Sequence, residues 1–339
     1  MKKLTSLLAI LFFATYYSCS KDTTEDLTPK TDDIYILQNT YKGPKENGVI
    51  QLYKNGAFTD ITNKENDSWG IGMYINNNDV YILGTEKVEG SEEKTKVWKN
   101  GQELSLPINS NIHDIAISGS DVYLLYREYI NKTSKIVLYK NNQPINITDG
   151  TNDATPTKIK VVGSDIYILG TVFDGNHYVV TVWKNGVATN ITDGSYNAFS
   201  NDLVVNNNEV YVLGREYNGT TYLPKLWKNG NEVPNFINDQ FFRPVSLFVK
   251  NDNMYVTGNF VKDAIRTAEL WKNGEVINIG GAINHSFVSN VFVKNNKVYV
   301  SYHEANQFKK FASKLWLDGE KTDISDGSTD TYSQKIIVK

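Results

Sequence analysis

Short segments in which apolar and polar residues alternate fill the chain from residue 33 to its end. The segment NDLVV at 201–205 and the repeated segments DVYILG and EVYVLG have the two-residue period of half-buried β-strands. Corners rich in asparagine, aspartate and glycine separate them, and no stretch of sequence combines sustained helical spacing with capping residues. The pattern predicts an all-β protein.

One aromatic residue, followed by Lys-Asn-Gly or a close variant, recurs along the chain. Five of the six tryptophans occupy this position, and successive copies are 45, 41, 44, 44, 44 and 45 residues apart. A tyrosine flanked by aliphatic residues is a second marker, and both markers predict seven units. The first marker lies at Tyr53, Trp98, Tyr139, Trp183, Trp227, Trp271 and Trp316, and the second at Tyr35, Tyr81, Tyr123, Tyr167, Tyr211, Tyr255 and Tyr299.

Each unit contains four predicted strands. Asn-Gly favours the two-residue type I′ turn because both central positions need a positive φ, so the recurring corner predicts a hairpin between the third and fourth strands. Four strands repeated in this way are typical of a β-propeller, and the sequence predicts seven four-stranded antiparallel blades. The repeated aromatic residues are predicted to pack between neighbouring blades.

The two ends of the repeat region complement each other. It begins with a second strand, DIYILQ at 33–38, and ends with a lone first strand, QKIIVK at 334–339. We predict that the C-terminal strand pairs with the N-terminal blade. This pairing would close a propeller over residues 33–339 and leave no free sheet edge at the seam.

Residues 1–18 have the composition of an export signal. Lys2 and Lys3 precede an apolar run at 4–14, which is shorter than the roughly 20 residues that a membrane-spanning helix needs. Cys19 is the only cysteine, so an intramolecular disulfide is excluded. The segment resembles a bacterial lipoprotein signal, which implies that Cys19 becomes the acylated first residue of the mature chain. Cleavage nearby that leaves Cys19 as a free thiol is the alternative.

The residues after Cys19 continue this resemblance. Ser20, Lys21 and Asp22 resemble the short charged segment that Bacteroidota lipoproteins carry for display on the outer face of the outer membrane. Residues 19–32 are rich in Thr, Asp, Lys, Glu and Pro and are predicted to form a flexible tether of roughly 20 Å. The resemblance implies a propeller lipoprotein of the outer membrane, on the cell surface or facing the periplasm.

Net charge argues against nucleic acid as a partner. The chain has 35 basic and 38 acidic residues, and removal of residues 1–18 with their two lysines changes the formal charge from −3 to −5. An acidic surface offers no broad attraction to nucleic acid or to anionic lipid. Membrane attachment is therefore expected to depend on acyl chains at Cys19.

Residues that differ between units are the candidates for ligand binding, because a propeller presents variable loops around the mouth of its channel. Aromatic, arginine and histidine side chains near the starts of first strands are predicted to bind a glycan, peptide or protein partner, or else to fill gaps between loops. These candidates are Trp69, His113, Phe199, Phe241, Phe242, Arg243, His285 and Tyr332.

Three loops carry an Asp-Gly motif with further oxygen-bearing residues, at 149–153, 193–197 and 326–330. Such oxygen ligands suit Ca²⁺. The motifs lack the distal glutamate of the twelve-residue calcium loop, and they also fit an ordinary turn in which aspartate caps its own backbone. We predict no cofactor, with calcium at these loops as the alternative.

The sequence contains neither a Gly-x-Ser-x-Gly elbow nor a His-Glu-x-x-His zinc motif. Its four histidines do not have the spacing of metal ligands. We therefore predict a binding or scaffold module. Two alternatives stay open: a hydrolase or lyase that acts on polysaccharide or peptidoglycan at the channel mouth, and a purely structural component of an outer-membrane assembly.

Overall fold

The computed structural model describes residues 32–41, 43, 46–106, 111–141, 143–281 and 284–339. The predicted leader, Cys19 and nearly all of the predicted tether lie outside the described residues. Within the described ranges no helix is long and apolar enough to cross a membrane. The strands are β1 Ile34–Tyr41, β2 Val49–Lys54, β3 Ala57–Asp60, β4 Asp67–Asn76, β5 Asp79–Lys87, β6 Lys94–Lys99, β7 Gln102–Glu103, β8 Asn111–Ser118, β9 Asp121–Ile130, β10 Thr133–Lys140, β11 Gln143–Asn146, β12 Ala154–Val162, β13 Asp165–Phe173, β14 Tyr178–Lys184, β15 Val187–Asn190, β16 Ala198–Asn206, β17 Glu209–Tyr217, β18 Tyr222–Lys228, β19 Asn231–Glu232, β20 Phe242–Lys250, β21 Asn253–Lys262, β22 Ile265–Lys272, β23 Glu275–Asn278, β24 Ser286–Lys294, β25 Lys297–Ala305, β26 Phe311–Leu317, β27 Glu320–Asp323 and β28 Asp330–Val338.

These strands form seven four-stranded antiparallel sheets, and the fold is the predicted seven-bladed β-propeller. Blade 1 consists of β28, β1, β2 and β3, from the axis outward. Blades 2 to 7 consist of β4–β7, β8–β11, β12–β15, β16–β19, β20–β23 and β24–β27 in the same order. The first strands contact one another around the ring, from β28 to β4 and onward until β24 returns to β28.

The seam of the ring is closed as the sequence predicts. β28 pairs antiparallel with β1, with Ile34 opposite Val338 and Ile36 opposite Ile336. Ile36 and Ile336 are fully buried, and they pack in one cluster with Tyr299 of blade 7. The last strand therefore connects the first blade to the last one through both hydrogen bonds and apolar contacts.

Each apolar cluster of the core combines residues from two neighbouring blades. Trp98 of blade 2 packs with Ile50 of blade 1, and Trp227 of blade 5 packs with Leu169 of blade 4. The repeated tryptophans are thus anchors between blades, as predicted. Burial of such a side chain removes about 150–250 Å² from water, which explains why one large ring at one repeated position can hold the stack together.

The Lys-Asn-Gly corner combines a strained turn with three side-chain contacts. In blade 4, Asn185 and Gly186 have φ of 50° and 83°. Asn185 accepts a hydrogen bond from Ile166 N and donates one to Asp165, each at 2.8 Å. Lys184 forms an ion pair with Asp165 at 2.8 Å. Lysine contacts with the marker tyrosine recur in six blades, at 4.9–5.6 Å from the ring centroid.

Every first strand contains a β-bulge at the same position. The register with the second strand shifts by one residue in all seven blades. Such a bulge bends the strand and redirects the side chains on either side of it. Side chains before the bulge therefore lie toward the mouth of the channel, and side chains after it face the channel. The bulged residues are Gln334, Ile71, His113, Thr157, Asn201, Val245 and Ser289 from blade 1 to blade 7.

Candidate functional site

Strand direction decides which loops share a face. In an antiparallel blade, the loop from the second to the third strand and the loop into the next blade lie at the same end of the sheet. We call this end of the propeller the loop face, and the opposite end, which carries the Lys-Asn-Gly corners, the hairpin face. The loop face presents the segments that vary most between units.

One position of the first strand, two residues before the bulge, carries most of the candidates at the loop face. Four of the seven blades place an aromatic ring there, and blade 6 places an arginine. All seven side chains are partly or fully exposed. From blade 1 to blade 7 the residues are Tyr332, Trp69, Asn111, Thr155, Phe199, Arg243 and Phe287.

Blades 7, 1 and 2 join their aromatic residues into a continuous row, which we call the Trp69 arc. The Trp69 ring lies 5.7 Å from Tyr332 and 6.1 Å from Tyr41, measured between centroids. Tyr332 lies 5.3 Å from Phe311, and His303 stacks on a phenylalanine at 5.3 Å. The arc consists of Tyr41, Trp69, Tyr332, Phe311, His303, Phe287 and His285.

Burial shifts the pKa values of two members of the Trp69 arc further toward their uncharged forms. Burial, together with the negative charge of Asp67, raises the pKa of Tyr41 to about 12. Burial lowers the pKa of His303 to about 4, because the charged imidazolium loses its water. The Nδ1 atom of His303 is buried without a hydrogen-bond partner among the described residues. This part of the mouth is therefore an apolar platform.

Blades 4 and 5 form a second row, which we call the Phe199 arc. Phe199 lies 5.5 Å from Tyr178 of blade 4 and 5.6 Å from Tyr222 of its own blade. Further contacts of 5.2–6.3 Å extend the row at both ends, and every ring is at least partly exposed. The arc consists of Phe173, Tyr178, Phe199, Tyr222, Tyr217 and Tyr196.

Two arginines lie beside the Phe199 arc. Arg215 is the cross-strand neighbour of Phe199, and its guanidinium lies 5.8 Å from the Tyr222 ring centroid. Burial and the positive charge of Arg243 lower the pKa of Arg215. Arg215 Nε is buried without a hydrogen-bond partner, and within the described ranges neither guanidinium has a carboxylate within 4.0 Å. The pair is thus a positive site without an internal counter-charge.

Arg127 shows how the same position is neutralised in blade 3. It occupies the place in β9 that Arg215 occupies in β17. Arg127 Nη2 donates to Asp153 at 3.0 and 3.2 Å, and Arg127 Nε donates to Ser134 at 2.7 Å. In blade 6, which follows the blade of Arg215, the residue that corresponds to Asp153 is Phe241. Arg215 therefore lacks the carboxylate that makes Arg127 a structural residue.

The remaining candidates occupy different environments. Phe242 is fully buried and packs against Trp271 at 5.8 Å, so it belongs to the core and not to the mouth. Phe241 is 43% exposed, and its ring lies 6.1 Å from that of Phe260. His113 is the bulged residue of blade 3 and lines a cavity in the channel, where burial lowers its pKa. His285 accepts a hydrogen bond from Arg266 N at 3.4 Å.

The Asp-Gly loops form local turns. Asp149 accepts a hydrogen bond from Thr151 N at 2.8 Å, and Asp193 accepts one from Ser195 N at the same distance. Asp326 accepts from Ser328 N at 2.9 Å. These contacts match the capped turn, which is the simpler of the two interpretations of the motif. In the part of the chain that the structure describes, no group of three or more His, Cys, Asp or Glu side chains is arranged to hold a metal ion.

One buried carboxyl group, that of Glu269, lies outside both arcs. Burial raises the pKa of Glu269 to about 7, against the hydrogen bond that Trp271 Nε1 donates to it at 3.3 Å. Glu269 lies on β22, the third strand of blade 6, in an open depression of about 430 Å³. At the mouth itself, the arginine pair and the aromatic rings are suited to the recognition of a ligand that carries a negative charge.

Sequence analysis identified part of each arc and missed the rest. It found Trp69, Tyr332 and His285 in one arc and Phe199 in the other, but it did not select Arg215. Alignment of the seven units two residues before the bulge would have added Phe287. The rings of second and third strands, such as Tyr41 and Tyr222, become visible only when neighbouring blades are brought together.

Comparison with solved structures supports the fold. The β-propeller domain of the Trilobed protease from Pyrococcus furiosus, which has an open velcro topology, is similar with a TM-score of 0.54 at 10% identity, over 87% of this chain and 95% of that one. A Mycobacterium tuberculosis puromycin-hydrolyzing peptidase is similar with a TM-score of 0.56 at 8% identity, over 88% of this chain and 52% of that one. An N10 neuraminidase-like protein of A/little yellow-shouldered bat/Guatemala/060/2010 is similar with a TM-score of 0.50 at 10% identity, over 74% of this chain and 93% of that one.

Comparisons at the level of sequence give no relative. No protein-family model matches the chain, and no curated protein matches it. At identities of 8–10% the structural similarity establishes the propeller fold and nothing about a ligand. The function must therefore be inferred from the two arcs and the arginine pair.

Proposed function

We propose that the protein is a binding module of the cell envelope and that it binds an acidic glycan at the loop face. The observation that carries the proposal is the uncompensated pair Arg215 and Arg243 beside the partly exposed rings of the Phe199 arc. Arginine recognises carboxylate groups through its planar set of N–H donors. Such a pair beside aromatic rings is suited to a sugar that carries a carboxylate.

The shape of the Phe199 arc favours a glycan over a peptide. Six rings follow one another at 5.2–6.3 Å across two blades. Pyranose rings present an apolar C–H face that packs on aromatic rings, so a row of rings suits successive sugar units. A uronic acid oligomer offers both the repeated apolar face and a carboxylate on each unit.

The envelope location in this proposal comes from the leader. Residues 1–18 and Cys19 resemble a lipoprotein signal, and residues 19–32 resemble a tether. Acylation of Cys19 would hold the propeller near the outer membrane, where polysaccharides are accessible. The acyl group is testable by mass spectrometry of the protein extracted from membranes, and Cys19→Ala is expected to release it into the soluble fraction.

Calorimetric titration with oligogalacturonate and with a neutral oligosaccharide of equal length tests the ligand. We expect the purified protein to bind the acidic oligomer, and the Arg215→Gln, Arg243→Gln double variant to bind it at least about tenfold more weakly. Lys184→Gln, which removes a charge from the hairpin face, is the matched control and should bind normally. Equal binding of both oligosaccharides would remove the arginine pair from recognition, and stronger binding of a poly-glutamate peptide would show that the ligand is a peptide.

A further inference from the structure

One residue after the bulge, the first strands place a belt of mainly polar side chains around the central channel. Blade 2 contributes Gly72, which leaves a gap in the belt. The two carboxylates are engaged by the backbone of the following blade: Asp114 accepts from Ile159 N at 3.0 Å, and Asp202 accepts from Leu247 N at 2.9 Å. From blade 1 to blade 7 the belt consists of Lys335, Gly72, Asp114, Lys158, Asp202, Ser246 and Asn290.

Ammonium groups outnumber carboxylates in this part of the channel. Lys158 lies 3.9 Å from Asp114, but neither Lys160 nor Lys335 has a carboxylate within 4.0 Å among the described residues. The amide oxygen of Asn290, in its hydrogen-bonded orientation, lies 3.3 Å from Lys335 Nζ. Burial and the positive charge of Lys158 lower the pKa of Lys335 to about 7. The carboxylates of Asp202 and Asp114 act on Lys335 from beyond 4.0 Å and only partly offset its loss of water. An anion in direct contact with this ammonium group would therefore be stabilised.

Two cavities meet at these lysines. Lys160 and Lys335 both line a channel cavity of about 520 Å³ and a side cavity of about 290 Å³ beside Gly72. The lining of the larger cavity also contains the carboxylate of Asp202 and the amide of Asn290. Its remaining walls are mainly apolar, and the rings of Phe248 and Phe292 lie 5.1 Å apart there. Those walls are formed by Tyr74, Val204, Phe248, Phe292 and Ile337.

We propose that the channel is a second binding site, which takes an organic carboxylate with an apolar body. Its carboxylate lies between the ammonium groups of Lys160 and Lys335, and its apolar body lies against Phe248 and Phe292. A volume of about 520 Å³ is within the range of small-molecule sites. The site shares no residue with the arginine pair or with either arc, so it stands independently of the glycan proposal.

Comparison of octanoate, octylamine and inorganic phosphate tests the anionic head and the apolar body of the proposed ligand separately. By calorimetry we expect octanoate to bind, octylamine to bind at least about tenfold more weakly because its head repels the lysines, and phosphate to bind weakly because it lacks an apolar body. Equal binding of octanoate and octylamine would exclude the lysines from recognition. Binding of phosphate as strong as that of octanoate would overturn the apolar part of the site.

Two variants test the position of the ligand. Lys335→Met is expected to weaken octanoate binding at least about tenfold, and Val204→Phe is expected to weaken it by filling the cavity while both lysines are kept. Lys184→Met, on the hairpin face, is the control. If Lys335→Met fails to fold, Val204→Phe still decides the outcome, because octanoate binding unchanged in that variant would overturn the proposal.

An NMR titration tests the contact between the ligand and Lys335 directly, because a purely structural role of Lys335 would not change its pKa when octanoate is added. NMR of lysine side chains labelled at Nζ should show that Lys335 titrates near pH 7 in the free protein. Bound octanoate should raise this pKa, because a neighbouring negative charge favours the ammonium form. A titration of Lys335 that is the same with and without octanoate would contradict the proposed contact.

Discussion

Arg127 Nη2 donates to Asp153 Oδ1 at 3.0 Å and joins blade 3 to blade 4 at the loop face. The two residues are 26 positions apart, and Ser134 connects them through its own hydrogen bonds to both. In the unit two blades later, Arg215 has Phe241 at the corresponding distance along the chain. The same repeated arginine is therefore structural in one blade and left without a carboxylate in the other.

Phe241→Asp should give Arg215 a carboxylate partner equivalent to the one that Arg127 has in Asp153. The new carboxylate would neutralise Arg215 as Asp153 neutralises Arg127, because it occupies the corresponding position. We expect binding of oligogalacturonate to fall at least about tenfold while the free energy of unfolding stays the same or rises by up to about 1 kcal/mol.

Phe241→Asn controls for loss of the exposed ring, since it adds no charge. It should retain more binding than Phe241→Asp. Equal binding by the two variants, measured by calorimetry, would show that the charge of Arg215 is not used in recognition.

Asp153→Asn should destabilise the propeller without affecting glycan binding. The substitution removes a charged hydrogen bond between Arg127 and residue 153. The side chains of Arg127 and Asp153 are both less than one-third exposed. We expect a loss of about 1–2 kcal/mol in the free energy of unfolding, measured by chemical denaturation. Asp263→Asn, in an exposed turn with φ of 49°, is the control and should cost little because asparagine accepts that conformation. A similar cost for both substitutions would contradict a structural role for the Arg127–Asp153 pair.

The propeller was predictable because its information is local and repeated. Asn-Gly specifies its own turn through positive φ, and a tryptophan beside it packs on whichever blade is next, so one unit could be interpreted without the others. The seam could be predicted because DIYILQ lacks a first strand and QKIIVK lacks the other three. Pairing of these two segments completes the four strands of the first blade and closes the ring.

The candidate site was only partly predictable because it depends on pairs from different blades. Arg127 and Arg215 are both followed by Glu-Tyr, but the residue 26 positions later is Asp153 in one case and Phe241 in the other. Phe242 and Phe241 are adjacent in sequence, but strand alternation places one in the core and leaves the other 43% exposed. The register of β20 and its bulge had to be known before these residues could be separated.

Substitutions of Asn185 should separate the hydrogen bonds of the corner from its backbone strain. Asn185→Gly keeps access to φ of 50° but loses the bonds to Ile166 N and Asp165, which should cost about 1 kcal/mol. Asn185→Ala loses the same bonds and must also hold a left-handed conformation, which should add about 1–2 kcal/mol. Chemical denaturation of both variants measures the difference. Equal stability of the two would mean that the corner relaxes to another turn.

Ile336→Ala should show that the seam belongs to the cooperative fold. Ile336 is fully buried against blade 7, so the substitution leaves a cavity and should cost about 2–5 kcal/mol. Phe58→Ala in β3 of the same blade is the control, since Phe58 is 45% exposed and should cost far less. A small cost for Ile336→Ala, or a separate early unfolding transition of blade 1, would indicate a seam that opens independently of the ring.

His303 should make the stability of the propeller fall in mild acid. Burial lowers its pKa from 6.5 to about 4, so between these pH values the unfolded chain binds the proton more tightly than the folded one. Stability associated with His303 is therefore fully present above pH 6.5 and is lost as the pH falls toward 4, by about 2 kcal/mol between pH 7 and pH 5. Other groups titrate in the same range, so the informative quantity is the difference between wild type and a variant that lacks the imidazole. His303→Phe and His303→Gln, which differ in packing but cannot titrate, should both lose this part of the pH dependence in denaturation at pH 7 and pH 5. A wild-type protein whose stability relative to both variants is the same at the two pH values would show that His303 is protonated as easily in the folded protein as in the unfolded chain.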